Sequence, residues 1–376
     1  MKKLVYINQV GNYLSEGIVG AMLSDGGYDE VALLVGNPGN VRIDLPNVRI
    51  EKICSYNRSS FIKRTWSWLM ASLQIQWKLW TRYRHYDAFL VSNPPIAAFC
   101  MALTRNRYKS LIYDIYPDGL VSGGFLSDRN LFIGLWQRYN RRFFKNADGV
   151  FTITEGMADR LSKYIDRSKI EVVPIWYNPS LRRIPKEENL FIREHKLEDK
   201  FIVMYSGNIG KTHNVELLVD VANLLKDERD IMFVIIGEGW LKQNIVSKVE
   251  ELNLPNVLIL PYQPVDFISH SLSAASISYI SLDEKVSTVS VPSKTYNCMF
   301  VGSPLLCIAS EKAELTRLVD KNRCGAVFHE NAPEKIASFI RDLKSDGVKY
   351  AAMRRNAITA SEKFSSDNAF KFCKIK

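Results

Sequence analysis

The chain reads as an α/β protein of two doubly wound domains, each with a parallel sheet, and three observations carry that reading. Short β-branched runs alternate with helical patterns from end to end, the mark of strands joined by crossover helices. The length of 376 residues suits two or three domains at about 150 residues each. One stretch without a period, from Trp176-Tyr177-Asn178-Pro179 to Pro185-Lys186-Glu187-Glu188, separates two halves of similar size. The expected organisation is therefore a domain over 1–175, a second over 176–360 and a last helix over 361–376 that crosses back to the first.

Strands are expected at 3–7, 31–35, 87–92, 109–113, 149–153 and 170–173 in the first half. In the second half they are expected at 201–205, 231–236, 257–260, 276–280, 304–308 and 324–328. Helical patterns fill most gaps, as at 214–227 and 238–251. In open parallel sheets, ligands bind beyond the carboxyl ends of the strands, so the loops after strands deserve the closest reading.

Composition narrows the classes. Hydrophobic residues at 47% and charged residues at 24% describe a packed globular chain, not a disordered or fibrous one. The six cysteines contain no C-x-x-C pair, which argues against a zinc ribbon or a thioredoxin-like site and fits a reducing cytoplasm. No apolar run approaches the ~18 residues of a membrane span. The start, Met1 to Asn8, turns polar too early for a signal peptide and reads as a first strand. Neither H-E-x-x-H nor D-x-D occurs, so no metal site is expected. The net charge of +10 is concentrated in residues 1–175, where 23 Lys and Arg face 15 Asp and Glu. Such a field suits an anionic partner.

Four loops of the second half carry chemistry. The first strand runs into Ser206-Gly207-Asn208-Ile209-Gly210-Lys211-Thr212-His213-Asn214, where glycines let backbone N–H groups approach an anion. Gly210-Lys211-Thr212 matches part of a Walker A loop, but Tyr205 stands where that pattern needs glycine, which excludes the ATPase reading. A tight turn capped by Asn214 is the plain alternative. Next comes Gly237-Glu238-Gly239 after a second strand. Third is Leu260-Pro261-Tyr262, a rigid strand end against which a flat base can lie. Fourth is Val291-Pro292-Ser293-Lys294-Thr295-Tyr296-Asn297, which places a cap, N–H donors and a cation at one helix start.

Taken together and in this order, these loops resemble the donor domain of family 4 of the GT-B glycosyltransferases, a retaining group. The correspondence includes S-G-N-x-G at 206–210, G-x-G at 237–239 and the Pro292-Ser293-Lys294 segment running to Gly302-Ser303-Pro304. The first half agrees: Asp114-Ile115-Tyr116-Pro117-Asp118-Gly119-Leu120, Thr154-Glu155-Gly156-Met157 and Val172-Val173-Pro174-Ile175-Trp176 resemble a bacterial branch that builds surface polysaccharides. The resemblance implies two Rossmann-like domains facing a cleft and transfer of a sugar from a nucleotide-sugar, UDP favoured. It implies a polyprenyl-diphosphate-linked or saccharide acceptor and no cofactor. Gly11, Gly207, Asn208, Gly237, Glu238, Gly239, Tyr262, Ser293, Thr295 and Asn297 are then the donor contacts, and Asp114, Lys211 and Lys294 the catalytic candidates. Two glutamates usual in the family are replaced here, by Val289 and by Asn297. The usual diphosphate-binding Arg and Lys have no clear counterpart, leaving Lys211 and Lys294 as the available cations. A sugar-nucleotide epimerase or a non-catalytic scaffold on the same fold are the alternatives.

The segment from Arg58 to Arg84 has no acid and holds four of the seven tryptophans. Trp66, Leu69, Leu73, Trp77 and Trp80 recur at helical spacing beside Arg58, Lys63 and Arg64. A basic helix with interfacial tryptophans describes contact with an anionic membrane, on the inner face of a bacterial plasma membrane. A core-facing helix explains the stripe but not the bases. No nucleic-acid-binding module is recognisable, so none is expected as partner.

Overall fold

The computed structural model describes residues 1–57, 59–122, 127, 130–282 and 291–374. Two compact units emerge, Met1–Ile175 with Ser366–Lys376, and Trp176–Ser365.

The first unit is built on a seven-stranded sheet in the order β3-β2-β1-β4-β5-β6-β7. Its strands are β1 (Lys3–Ile7), β2 (Glu30–Val35), β3 (Val48–Lys52), β4 (Asp87–Val91), β5 (Tyr108–Ile112), β6 (Gly149–Thr152) and β7 (Ile170–Val172). Every pair is parallel. Helices α1 (Tyr13–Ser24), α2 (Phe61–Thr81), α3 (Asp118–Ser122) and α4 (Leu131–Asn146) supply crossovers and cover. The edge strand β3 is absent from the sequence expectation. Its pattern Val-Arg-Ile-Glu-Lys is half polar and follows a proline, so it reads as loop until β2 pairs with it. The last residues return to this unit as a 3₁₀ segment, Ser366–Cys373, rather than an α-helix. Phe372 enters the aromatic core edge-on to Phe89 and Phe151, at 5.8 and 5.0 Å. The buried Lys109 ammonium donates to the Phe372 carbonyl at 2.8 Å, which ties the tail to β5.

The second unit carries a six-stranded parallel sheet in the order β10-β9-β8-β11-β12-β13. Its strands are β8 (Phe201–Ser206), β9 (Ile231–Ile236), β10 (Val257–Leu260), β11 (Ile277–Ser281), β12 (Leu305–Ile308) and β13 (Gly325–Phe328). The central strands are continuous apolar runs such as Ile-Met-Phe-Val-Ile-Ile in β9, as expected where helices cover both faces. In each sheet the chain reverses its direction of winding beside the first strand, between β1 and β4 and between β8 and β11. These switch points are where such sheets open a crevice at their carboxyl edge.

Candidate active site

At the carboxyl edge of the second sheet, the loops after β8 and β9 are stitched together through main chain. Gly207 N–H donates to Ile236 O at 2.9 Å, Ile209 N–H to Glu238 O at 2.8 Å and Leu241 N–H to Ile209 O at 3.1 Å. Glycine is required by contact distance. A Cβ on Gly237 would lie 1.9 Å from Gly207 O, and one on Gly239 would lie 2.4 Å from Ile209 O. All three glycines have φ of +154°, which side chains rarely adopt. The sequence reading gives Gly207 an anion approach and makes Gly237 and Gly239 donor contacts through the resemblance alone; the geometry shows that backbone packing by itself already demands Gly237 and Gly239.

Lys294 stands over this loop. Its Nζ is fully buried and has no hydrogen-bond partner among the described residues. The ammonium lies 3.8 Å from the centroid of the Tyr205 ring and would be 3.3 Å from a Cβ on Gly207. Burial pushes its pKa down to about 8. Tyr205, the residue that breaks the Walker pattern, is therefore the platform for the lysine, and its hydroxyl donates to Asn208 O at 2.5 Å. His213 lies in the same corner. Its pKa is lowered by burial and then by Lys294, so the ring is held neutral.

The remaining donor-domain candidates divide. Lys211 is exposed and rests 4.2 Å from the centroid of the Trp240 ring. Asn208 and Tyr262 are exposed beyond their strand ends. Glu238 is exposed too, but its carboxylate pairs with Lys242 at 2.7 Å, along the next helix. Asn297 uses its Oδ1 to accept the Asn178 N–H at 2.9 Å, pinning the start of this unit. Thr295 is wholly buried, and its hydroxyl has no partner among the described residues. Ser293 is exposed and makes no side-chain cap for the helix Lys294–Phe300, so the expected serine cap is absent. Asn214 likewise makes no side-chain cap; it takes a left-handed conformation and accepts the Tyr279 hydroxyl at 2.8 Å through its carbonyl. Val289 lies outside the described residues. No group of three His, Cys, Asp or Glu suited to a metal occurs among the described residues.

In the first unit, Gly11 packs into the core, where a Cβ would meet Val35 and Val41 at 2.5 Å. Its neighbour Asn12 caps α1 by accepting from Leu14 N–H and Ser15 N–H. Asp114 follows β5 and reaches solvent on one side, while the protein packed around its carboxyl raises its pKa. Ser92 Oγ orients that turn by accepting the Tyr113 and Asp114 N–H groups at 2.9 and 3.2 Å. Sequence patterns gave no signal for Ser92 or for Gln9, which braces the same edge through Cys54 O and Ser67 O.

Helix α2 turns its tryptophan stripe outward. Ile62, Trp66, Leu69, Leu73, Trp77 and Trp80 are exposed, with Trp66 at 62% and Trp77 at 66%. The opposite face, with Trp68, Ala71, Ile75 and Leu79, is buried. The core-facing alternative thus fails for the stripe. The bases are a partial correction. Lys78 and Arg82 both bind Glu51 at 2.5 Å, and Arg64 stacks 5.4 Å from the Trp68 ring. Lys63 is exposed, and Arg58 lies outside the described residues. Among the described residues no helix is long and apolar enough to cross a membrane.

Two doubly wound parallel sheets, one with a glycine-stitched loop under a buried lysine, are the architecture of the two-sheet glycosyltransferase class. The comparisons agree. Residues 186–360 match the family described as glycosyl transferases group 1, and residues 20–176 match the glycosyl transferase 4-like domain. A probable glycosyltransferase, WbjE of Pseudomonas aeruginosa, is 23% identical over 345 residues, covering 89% of this chain and 86% of its own. The putative colanic acid biosynthesis glycosyl transferase WcaI of Escherichia coli is 24% identical over 210 residues, 55% of this chain and 51% of its own. Among solved structures, Anabaena HepE in complex with UDP and glucose superposes with a TM-score of 0.71 at 13% identity, covering 99% and 98% of the two chains. The chain belongs to family 4 of the GT-B glycosyltransferases.

Proposed function

We propose that this enzyme transfers a sugar, a hexose or acetamidohexose, from a UDP-sugar to a lipid-linked or saccharide acceptor in surface-polysaccharide synthesis, with retention at the anomeric carbon. The observation that carries the donor half is the Lys294 ammonium, buried beside Gly207 and without a hydrogen-bond partner among the described residues. An unpaired buried charge is costly, and a diphosphate is the partner that relieves it. In the transfer, the bond from C1 to the diphosphate oxygen breaks and UDP leaves with the electron pair. The acceptor oxygen bonds to C1 on the same face, and its proton passes to the departing phosphate oxygen. Lys294, helped by Lys211 and by the Gly207 and Asn208 backbone, stabilises the charge that develops on the diphosphate, the largest usual catalytic contribution. No protein nucleophile and no cofactor is needed. Asp114 orients the acceptor hydroxyl. The UDP-bound relative and the colanic acid relative support the nucleotide and the pathway class.

The exposed tryptophan face of α2 supports an acceptor held in a lipid bilayer and, with it, a working position for the enzyme on the inner surface of the plasma membrane. The test is incubation with labelled UDP-sugars and vesicles containing a polyprenyl-diphosphate sugar. Acceptor-dependent movement of label into lipid with release of UDP is expected. Acceptor-independent formation of an epimer, or no turnover of any nucleotide-sugar, contradicts the reading.

A further inference from the structure

Glu51 pairs with Lys78 and Arg82 at the end of α2, and further cations gather just beyond that helix. A groove of about 650 Å³ lies between the end of α2 and the amino ends of β4 and β5, the edge of the sheet opposite Asp114. It is lined by Trp80, the last exposed apolar group of the stripe, by the exposed Leu103 and by Arg84, His85, Arg105 and Arg107. Arg107 is paired with Asp148 at 3.1 Å. Arg84 and Arg105 are exposed and make no ion pair or hydrogen bond among the described residues. One acid, Asp87, also lines the groove, and it accepts the Tyr28 hydroxyl at 3.0 Å. Two buried acceptors complete the lining. Asn106 donates through its amide nitrogen to Tyr83 O and Tyr86 O, both at 2.7 Å, and its Oδ1 has no partner among the described residues. The Thr104 hydroxyl likewise has no partner among the described residues.

We infer that this groove binds the headgroup of an anionic glycerophospholipid while the α2 stripe lies in the adjoining acyl region; the inference rests on the membrane reading above. The two guanidinium groups, exposed on the groove and unpaired among the described residues, match a phosphodiester. Trp80 and Leu103 join the groove to the apolar stripe, so headgroup and acyl chains of one lipid layer meet continuous surface. Trp80 is fixed for this, since its indole N–H donates to Leu103 O at 2.8 Å.

The experiment is flotation of the full chain with phosphatidylcholine vesicles, with and without phosphatidylglycerol. The wild type is expected to float only with phosphatidylglycerol present. R84Q/R105Q should bind those vesicles about 30-fold more weakly, from two juxtamembrane bases, with an unchanged melting curve, and R84K/R105K should restore most of the binding. K226Q/K312Q removes the same charge from exposed positions of the second unit and should bind as wild type. Equal binding by R84Q/R105Q and wild type, or an equal loss in K226Q/K312Q, overturns the groove while leaving the membrane reading standing. A wild type that floats with no vesicle overturns both.

Discussion

The donor loops of the second unit and the outer face of α2 in the first are built on opposite principles. In the loops, main chain approaches main chain so closely that side chains are excluded at Gly237 and Gly239, and one lysine is left buried over an aromatic ring. On α2, large apolar side chains stand in solvent where a soluble surface would carry polar ones. The first arrangement stores an unmet charge and the second an unmet apolar area. Each is a deficit of the kind that a ligand relieves, and under the function proposed above a diphosphate meets the first and a lipid surface the second. The lesson is that function can be sought where the isolated fold is worst satisfied.

The comparison breaks most visibly at Gly237. Gly237→Ala forces a Cβ against Gly207 O, so overpacking of about 1–3 kcal/mol adds to backbone strain of similar size. A fall of several degrees in melting temperature and loss of UDP binding are expected. Gly134→Ala is the counterpart on α4, where nothing lies within 4 Å of the new methyl; it should be neutral or slightly stabilising.

Lys294→Met sharpens the idea of a stored deficit. Turnover, as kcat/KM, should fall by about 10²–10³ because a contact to developing charge is lost. The empty protein should nevertheless melt at the same temperature or higher, because a buried cation with no hydrogen-bond partner among the described residues has been removed. A fall in both quantities would make the lysine structural.

Smaller in free energy are the tryptophans. Trp66, Trp77 and Trp80 changed together to Ser should abolish vesicle flotation, with little change in melting because all three are exposed. Trp68→Ala, on the buried face, should instead cost about 3–5 kcal/mol. Asn297→Glu should have the least effect, since a carboxylate can still accept the Asn178 N–H that Asn297 now holds.

Much of the fold was legible because central strands such as β1 and β9 are apolar runs bounded by turn residues. The edge strand β3 was not, because half of its side chains face water. The glycine loops could be located in sequence, and so could the periodicity of α2. What could not be read were partners distant in the chain. Tyr205 meets Lys294 across 89 positions, and Glu51 gathers Lys78 and Arg82 only once β3 lies beside α2. A pattern shows that charges exist; only the packing shows which are already satisfied.

The central claim is that the Lys294 ammonium awaits the donor diphosphate, and its pKa makes that measurable. A lysine at about 8 in the folded protein, against the ordinary 10.5, is neutral in the fold while still charged in the unfolded chain between those values. Through this group the empty protein should therefore gain stability as pH rises from 8 to 10.5. Donor affinity should move the other way, since the diphosphate prefers the charged lysine. The direct measurement is calorimetric titration of UDP-sugar from pH 7 to 10 in two buffers of different ionisation enthalpy. Wild type should take up protons on binding and lose affinity above pH 8, while Lys294→Arg keeps its affinity and takes up none. Affinity in wild type that is flat across that range, with no proton uptake, would contradict the account.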